Sequence, residues 1–300
     1  MNPQNLEGSP QMPSLLSERS FAVRVKQEIA FRKRQWRALL LAAKGQRRTP
    51  TPVLVLTTSR SGSTWLCDLL FNINESGPLP EHIRPQHFKY AMGQPDGQHL
   101  LRKLFEDAAA LIRNGRCSGS KLIWDYVPEL FSGSEVDTLR TVLSPLSDLR
   151  PICLRLRRRD IAAQAVSRCL SSQTGIYHRY RGAADDSTQT GTPVMENVDS
   201  QLTYDTADIA HHEKVLQSAE SHLEASISGL GLAVHEVVYE ELLADPGKVL
   251  EPLVASLRPE LSPAKRASLL HQTRRGARVA RNENIQQIEW LARYRADRKA

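Results

Sequence analysis

An α/β fold, a mainly parallel sheet flanked by helices in three layers, is predicted by two observations. Short apolar runs alternate with segments of helical period along most of the chain, and that alternation gives parallel strands whose crossover helices cover both faces of the sheet. Two of the runs, residues 53–56 and 151–156, break directly into polar turns bearing arginine and then resume at helical spacing. Open α/β sheets bind their ligands at such carboxyl ends of strands.

Residues 1–18 carry Pro, Gly, Ser and Asn without periodicity and are expected to be disordered. From Arg19 to Arg48 the chain holds ten Lys/Arg against one acid, Glu28, and Phe21, Val25, Ile29, Trp36 and Leu40 fall roughly along one side of a helix. This basic amphipathic helix has two readings: a solvated helix packed on the main domain or on a second subunit, or a contact to an acidic membrane surface or polymer. The TPTP at 49–52 separates residues 1–50 from a domain at 51–300.

The first strand, Val53, Leu54, Val55 and Leu56, suits a position buried on both faces. After it, Arg60 and Gly62 sit among Thr57, Thr58, Ser59, Ser61, Ser63 and Thr64, and a helix starting near Ser63 presents Leu66, Leu69 and Leu70 inward. Its free N–H groups and positive dipole end suit an anion over the turn, and Arg60 adds a planar donor fork. The alternative is a hydroxyl-rich turn that only caps a helix. The loop lacks the first glycine and the lysine of GxxxxGK[ST], which disfavours an ordinary nucleoside triphosphatase.

A turn-rich loop at 74–85 follows, then a helix at about 99–113 and a strand candidate, SKLIWDYV, at 120–127. The strand at 151–156 runs into RRRDIAAQAVSRCLSS, where the period changes from 2 to nearly 4 through Ile161, Ala165, Val166 and Cys169. That second junction offers Arg157, Arg158 and Arg159. Residues 182–201 are polar, without an aromatic, and read as a long mobile loop. A helix at about 204–228, the strand LAVHEVVYEEL and a helix after Asp245 and Pro246 complete the alternation. Two anion grips on neighbouring strands suit a ligand with two separated phosphates.

The formal net charge of +7 is concentrated in the segment 19–48, so the bulk of the protein is not a basic nucleic-acid binder. Cys67, Cys117, Cys153 and Cys169 are scattered without metal-site or disulfide spacing, which fits a reducing cytoplasm and no metal. No apolar run nears the ~20 residues of a membrane span, and the N-terminus lacks a signal-peptide pattern.

The motifs taken together resemble the PAPS-dependent bacterial sulfotransferases, over about 53–295. RSGSTWLCDLL from Arg60 is similar to that family's 5′-phosphosulfate loop, GPLPEHI from Gly77 to its Gly-x-Pro-x-Glu segment, and SKLIWDY from Ser120 to its Gly-x-Lys-x-x-Trp strand. RRRDIAAQAVS from Arg157 resembles its 3′-phosphate element; SSQTGIY and VVYEELLADP match further landmarks. RNENIQQIEWLARYR from Arg281 resembles its Arg-Gln-x-Asp…Trp…Arg-Tyr-Arg tail, with Asn282 and Asn284 replacing Gln and Asp.

The resemblance implies a P-loop-like sulfotransferase domain that moves a sulfuryl group from PAPS to a hydroxyl of a carbohydrate or glycolipid acceptor, without a metal, in a homodimer. It assigns the 5′ grip to Arg60 with Ser61, Gly62, Ser63 and Thr64. The 3′ grip falls to Arg159 and Ser167, with Arg158 as the substitute and Arg281 as a further contact. It gives the catalytic base to Glu81; His82, His87 and His178 are alternatives. Trp65 and Trp124 read as core before they read as stacking platforms. An ATP-dependent phosphotransferase and a non-catalytic nucleotide-binding protein are the competing readings.

Overall fold

A computed structural model describes residues 51–74, 79–81, 97–127, 135–174, 202–276 and 285–299. The basic segment within 1–50, the 182–201 loop, Arg281 and the alternative bases His82, His87 and His178 lie outside the described residues. Four strands, β1 (Val53–Thr57), β2 (Gly119–Ile123), β3 (Ile152–Arg157) and β4 (Val234–Val238), form a sheet in the order β2-β1-β3-β4 with every neighbouring pair parallel. Around them run α1 (Ser63–Asn74), α2 (Gly97–Arg113), α3 (Glu135–Leu143), α4 (Ile161–Thr174) and α5 (Thr206–Leu230), then α6 (Tyr239–Ala244), α7 (Pro246–Leu257), α8 (Pro263–Gly276) and α9 (Ile285–Asp297). The expected α/β class, a parallel sheet covered by helices, is what the chain adopts.

Strand side chains alternate between faces, and here they feed two separate cores. Leu54, Leu56 and Leu122 pack on one face with Phe105 and Ile112 of α2, Leu139 of α3 and Leu223 of α5. Val53, Val55, Leu154, Leu156 and Val237 pack on the other with Leu66 and Leu70 of α1, Leu242 of α6 and Leu250 of α7. A third cluster ties α4 to α5 and α9 through Val166, Leu216, Trp290 and Tyr294.

Helix ends follow capping chemistry. Asp205 accepts the N–H groups of Ala207 and Asp208, Asp245 accepts that of Lys248 with Pro246 in the first turn, and Gly231 closes α5 at a φ of 59°. Two strands are shorter than their sequences suggest. β2 ends at Ile123, and Trp124–Tyr126 turn as a 3₁₀ helix that buries Trp124 in the first core. β4 ends at Val238, and the acidic pair Glu240 and Glu241 opens α6. Beyond α7 the sequence reading placed no elements; α8 and α9 fill that region. No helix among the described residues is long and apolar enough to cross a membrane.

Candidate functional site

β1 and β3 are adjacent, and Thr57 pairs in register with Leu156, so their two arginine-bearing turns open side by side at the carboxyl end of the sheet's central strands. The β1 turn is closed from within. Thr57 Oγ1 lies 2.8 Å from the Leu156 carbonyl and 2.5 Å from Ser61 Oγ, which turns the Ser61 hydroxyl into the protein. Ser59 N–H donates to Asp125 Oδ1 at 2.7 Å, and Arg168 of α4 holds the other oxygen of that fully covered carboxylate at 2.8 Å. Thr58 Oγ1 donates to Glu220 Oε1 of α5 at 2.6 Å. Gln164 Nε2 reaches Thr58 Oγ1 at 2.9 Å and the Ser59 carbonyl at 2.5 Å.

This clamping holds a costly backbone. Arg60 has φ 62°, a left-handed conformation that side chains disfavour by roughly 1–2 kcal/mol, and such strain persists only where its surroundings over-determine it. Gly62 has φ 89°, and a Cβ there would collide with the Tyr239 ring at the start of α6. Glycine is thus required both for the turn and for its seat on Tyr239. The Gly62 carbonyl then accepts from Trp65 and Leu66 N–H at 3.0 and 3.1 Å, starting α1 with its first-turn N–H groups directed at the mouth of the turn.

Three of the expected residues come together here. Arg60 Nε donates to Ser167 Oγ of α4 at 3.0 Å, and Arg158 Nη1 approaches the Arg60 carbonyl at 3.5 Å while its guanidinium carbon stands 4.9 Å above the Tyr239 ring. Arg159 goes elsewhere: its guanidinium pairs with Glu241, and its backbone N–H donates to Glu240 at 3.1 Å. Arg157 pairs with Glu236. Of the three consecutive arginines, Arg158 is the one that faces Arg60. Ser59 Oγ and Arg158 Nε are buried without a hydrogen-bond partner among the described residues, an arrangement that suits an anion bringing its own oxygens. A cleft of about 280 Å³ opens beside Arg158, between Asp160, just before α4, and Ala163 of α4 on one side and Ile288, Leu291 and Arg295 of α9 on the other.

Glu81 approaches from the other side of α1. Lys121 N–H of β2 donates to the Pro80 carbonyl at 3.0 Å, and the Lys121 ammonium, itself nearly covered, stands 3.2 Å from Glu81 Oε2. The pair adjoins Cys67 on α1, whose thiol is pushed up to about 11 by burial, with Lys121 opposing and Glu81 adding to that rise. Cys67 follows Ser63 by about one helical turn, roughly 6 Å along α1. Trp124 is core; Trp65 is half-buried and meets Tyr239 edge-on at 6.5 Å.

Asp125, Gln164, Arg168, Glu220 and Tyr239 escaped the sequence reading as site residues. Gln164 carried a signal, a polar residue on the inward face of a helix. Glu220 carried none, because it lies 162 positions from the threonine it holds.

A family model described as Stf0 sulphotransferase matches residues 52–297. The chain is also similar to a trehalose 2-sulfotransferase of Mycobacterium tuberculosis (strain ATCC 35801 / TMC 107 / Erdman), with 26% identity over 284 residues that cover 83% of this chain and 96% of that protein.

Proposed function

Because the chain belongs to the Stf0 sulphotransferase family, we propose that it transfers a sulfuryl group from PAPS to a carbohydrate hydroxyl and releases 3′,5′-ADP. The observation that carries this reading is the meeting of Arg60, Arg158 and Ser167 at two neighbouring strand-to-helix turns. One turn faces the N-terminus of α1 and the other a cleft of nucleotide-fragment size, matching a ligand with phosphate groups at its 5′ and 3′ ends. The carbohydrate acceptor rests on the likeness to a trehalose 2-sulfotransferase.

Sulfuryl transfer, like phosphoryl transfer, moves a tetrahedral group in line through a loose transition state, so the protein contributes positioning and charge stabilisation. Arg60 and the N–H groups of Ser61, Gly62, Ser63 and Thr64 stabilise charge growing on the departing 5′-phosphate. The bond from Arg60 Nε to Ser167 Oγ fixes the guanidinium between the two turns before substrate arrives. Arg158 and Ser167 hold the 3′-phosphate, with Arg281 as a further contact, and Arg159 braces the turn through Glu241. Glu81 takes the acceptor's proton while Lys121 orients its Oε2.

Calorimetry with 3′,5′-ADP, 5′-ADP and ATP tests the grip, and ³⁵S-labelled PAPS with a sugar panel tests the transfer. Tight 3′,5′-ADP binding and a labelled sugar are expected. A preference for ATP would point to a phosphotransferase, and tight 3′,5′-ADP binding with no labelled product to a binding protein.

A further inference from the structure

Behind the phosphate-facing side of α4 lies a group of side chains that the transfer reaction does not use. Cys169 of α4 and Asp208 and His212 of α5 bring sulfur, carboxylate oxygen and imidazole nitrogen atoms within 4.8 Å of one another. Cys169 Sγ lies 3.0 Å from Asp208 Oδ2, and His212 Nε2 lies 3.6 Å from Asp208 Oδ1. We infer that these three side chains form a site for a divalent transition metal of zinc type, which clips α4 to α5 and leaves a fourth coordination position to water.

The distances suit such an ion. Bonds of about 2.3 Å to sulfur and 2.0–2.1 Å to nitrogen or oxygen around a tetrahedral centre separate its ligands by roughly 3.3–3.6 Å; the two contacts to Asp208 bracket that range, and the three ligand atoms, within 4.8 Å of one another, draw together when an ion enters. The charges suit it too: a thiolate and a carboxylate balance the ion, and the imidazole binds neutral. The cation nearby is already engaged, since Arg168 pairs with Asp125 at 2.8 Å.

One detail points the same way. Gln173 Nε2 lies 3.5 Å from Cys169 Sγ with its N–H toward the sulfur, while its amide is anchored on the Thr203 backbone; such outer donors support a metal-bound thiolate. Without metal, burial and the Asp208 acceptor push the Cys169 thiol up to about 12. Metal entry must therefore displace one proton from sulfur to buffer. Little in the sequence announces the site: Asp208 and His212 share an i,i+4 face, but Cys169 is 39 positions from Asp208.

The test is a Co²⁺ titration of the untagged full-length chain, followed by Zn²⁺ competition. A one-to-one complex is expected, with tetrahedral visible bands and a near-ultraviolet thiolate charge-transfer band. Zn²⁺ at about 100 times its dissociation constant should raise Tm by roughly 5–10 °C. C169S should remove the charge-transfer band, H212A should weaken affinity at least tenfold, and H211A should retain both. D208N serves if C169S does not fold, with the same tenfold loss expected. The inference is overturned by the absence of a stoichiometric thiolate band, by its persistence in C169S, or by equal affinities for the wild type, H212A and D208N.

Discussion

The two flanks of α1 are built on opposite principles. On the β3 side, the turn carrying Arg60 is tied down by Asp125, Gln164, Ser167 and Glu220, drawn from three other elements. On the β2 side, the ties to Glu81 among the described residues are one backbone bond from its neighbour Pro80 and one ion pair to Lys121. The first arrangement suits a ligand that is the same in every turnover, since hydrogen-bond donors fixed in advance need no reorganisation when charge develops. The second suits a group that must meet an acceptor brought by the surrounding loops, where specificity resides. Among the described residues, the ties are thus concentrated at the turn proposed to hold the donor nucleotide.

The largest effect should come from the lightly held side. E81Q keeps the shape of the side chain and removes its capacity to accept a proton, so turnover should fall about 10²–10⁴-fold while 3′,5′-ADP affinity stays within twofold. Near-normal turnover would remove Glu81 as base and break the division of labour between the flanks. R60A follows, with a loss of roughly 10²–10³-fold in rate and weaker nucleotide binding. R60K should recover only part of it, because an ammonium cannot reach Ser167 and the phosphate with one planar fork.

Third in size is the choice among the arginines. R158A removes charged donors from the 3′ side and should weaken 3′,5′-ADP binding about tenfold or more, at roughly 1.5–3 kcal/mol per charged hydrogen bond. R159A breaks a half-exposed pair with Glu241 and should change affinity by less than threefold. The opposite ranking by calorimetry would return the 3′ grip to Arg159.

What the sequence made legible follows from the range of the forces involved. The strand-to-helix changes at Thr57 and Arg157, the helix start after Asp245 and Pro246, and the grouping of Arg60 with Gly62 are local, and local chemistry shows in a string of residues. The identity of the arginine that turns toward Arg60 is not local. It depends on Glu240 and Glu241 capturing the Arg159 backbone and guanidinium from α6, some 80 positions away. β2 was read too long for a similar reason: Asp125 bends out of the strand to serve Ser59 and Arg168.

The smallest predicted effects probe the buried network beneath the loop. Glu220 accepts the Thr58 hydroxyl with one oxygen and pairs with the buried Arg155 through the other, at 3.2 Å; Glu224 holds the same arginine from a largely exposed position. E220Q keeps an acceptor for Thr58 but sets a neutral amide beside a covered guanidinium, so it should cost about 1–3 kcal/mol in urea unfolding and lower turnover by less than tenfold. E224Q, screened by water, should cost under about 1 kcal/mol and leave turnover unchanged. If E220Q affected rate as little as E224Q while costing the same stability, the tie from α5 would be holding up the fold and not aiming Arg60. The firmness of the donor side would then come from the ties of Gln164, Asp125 and Ser167.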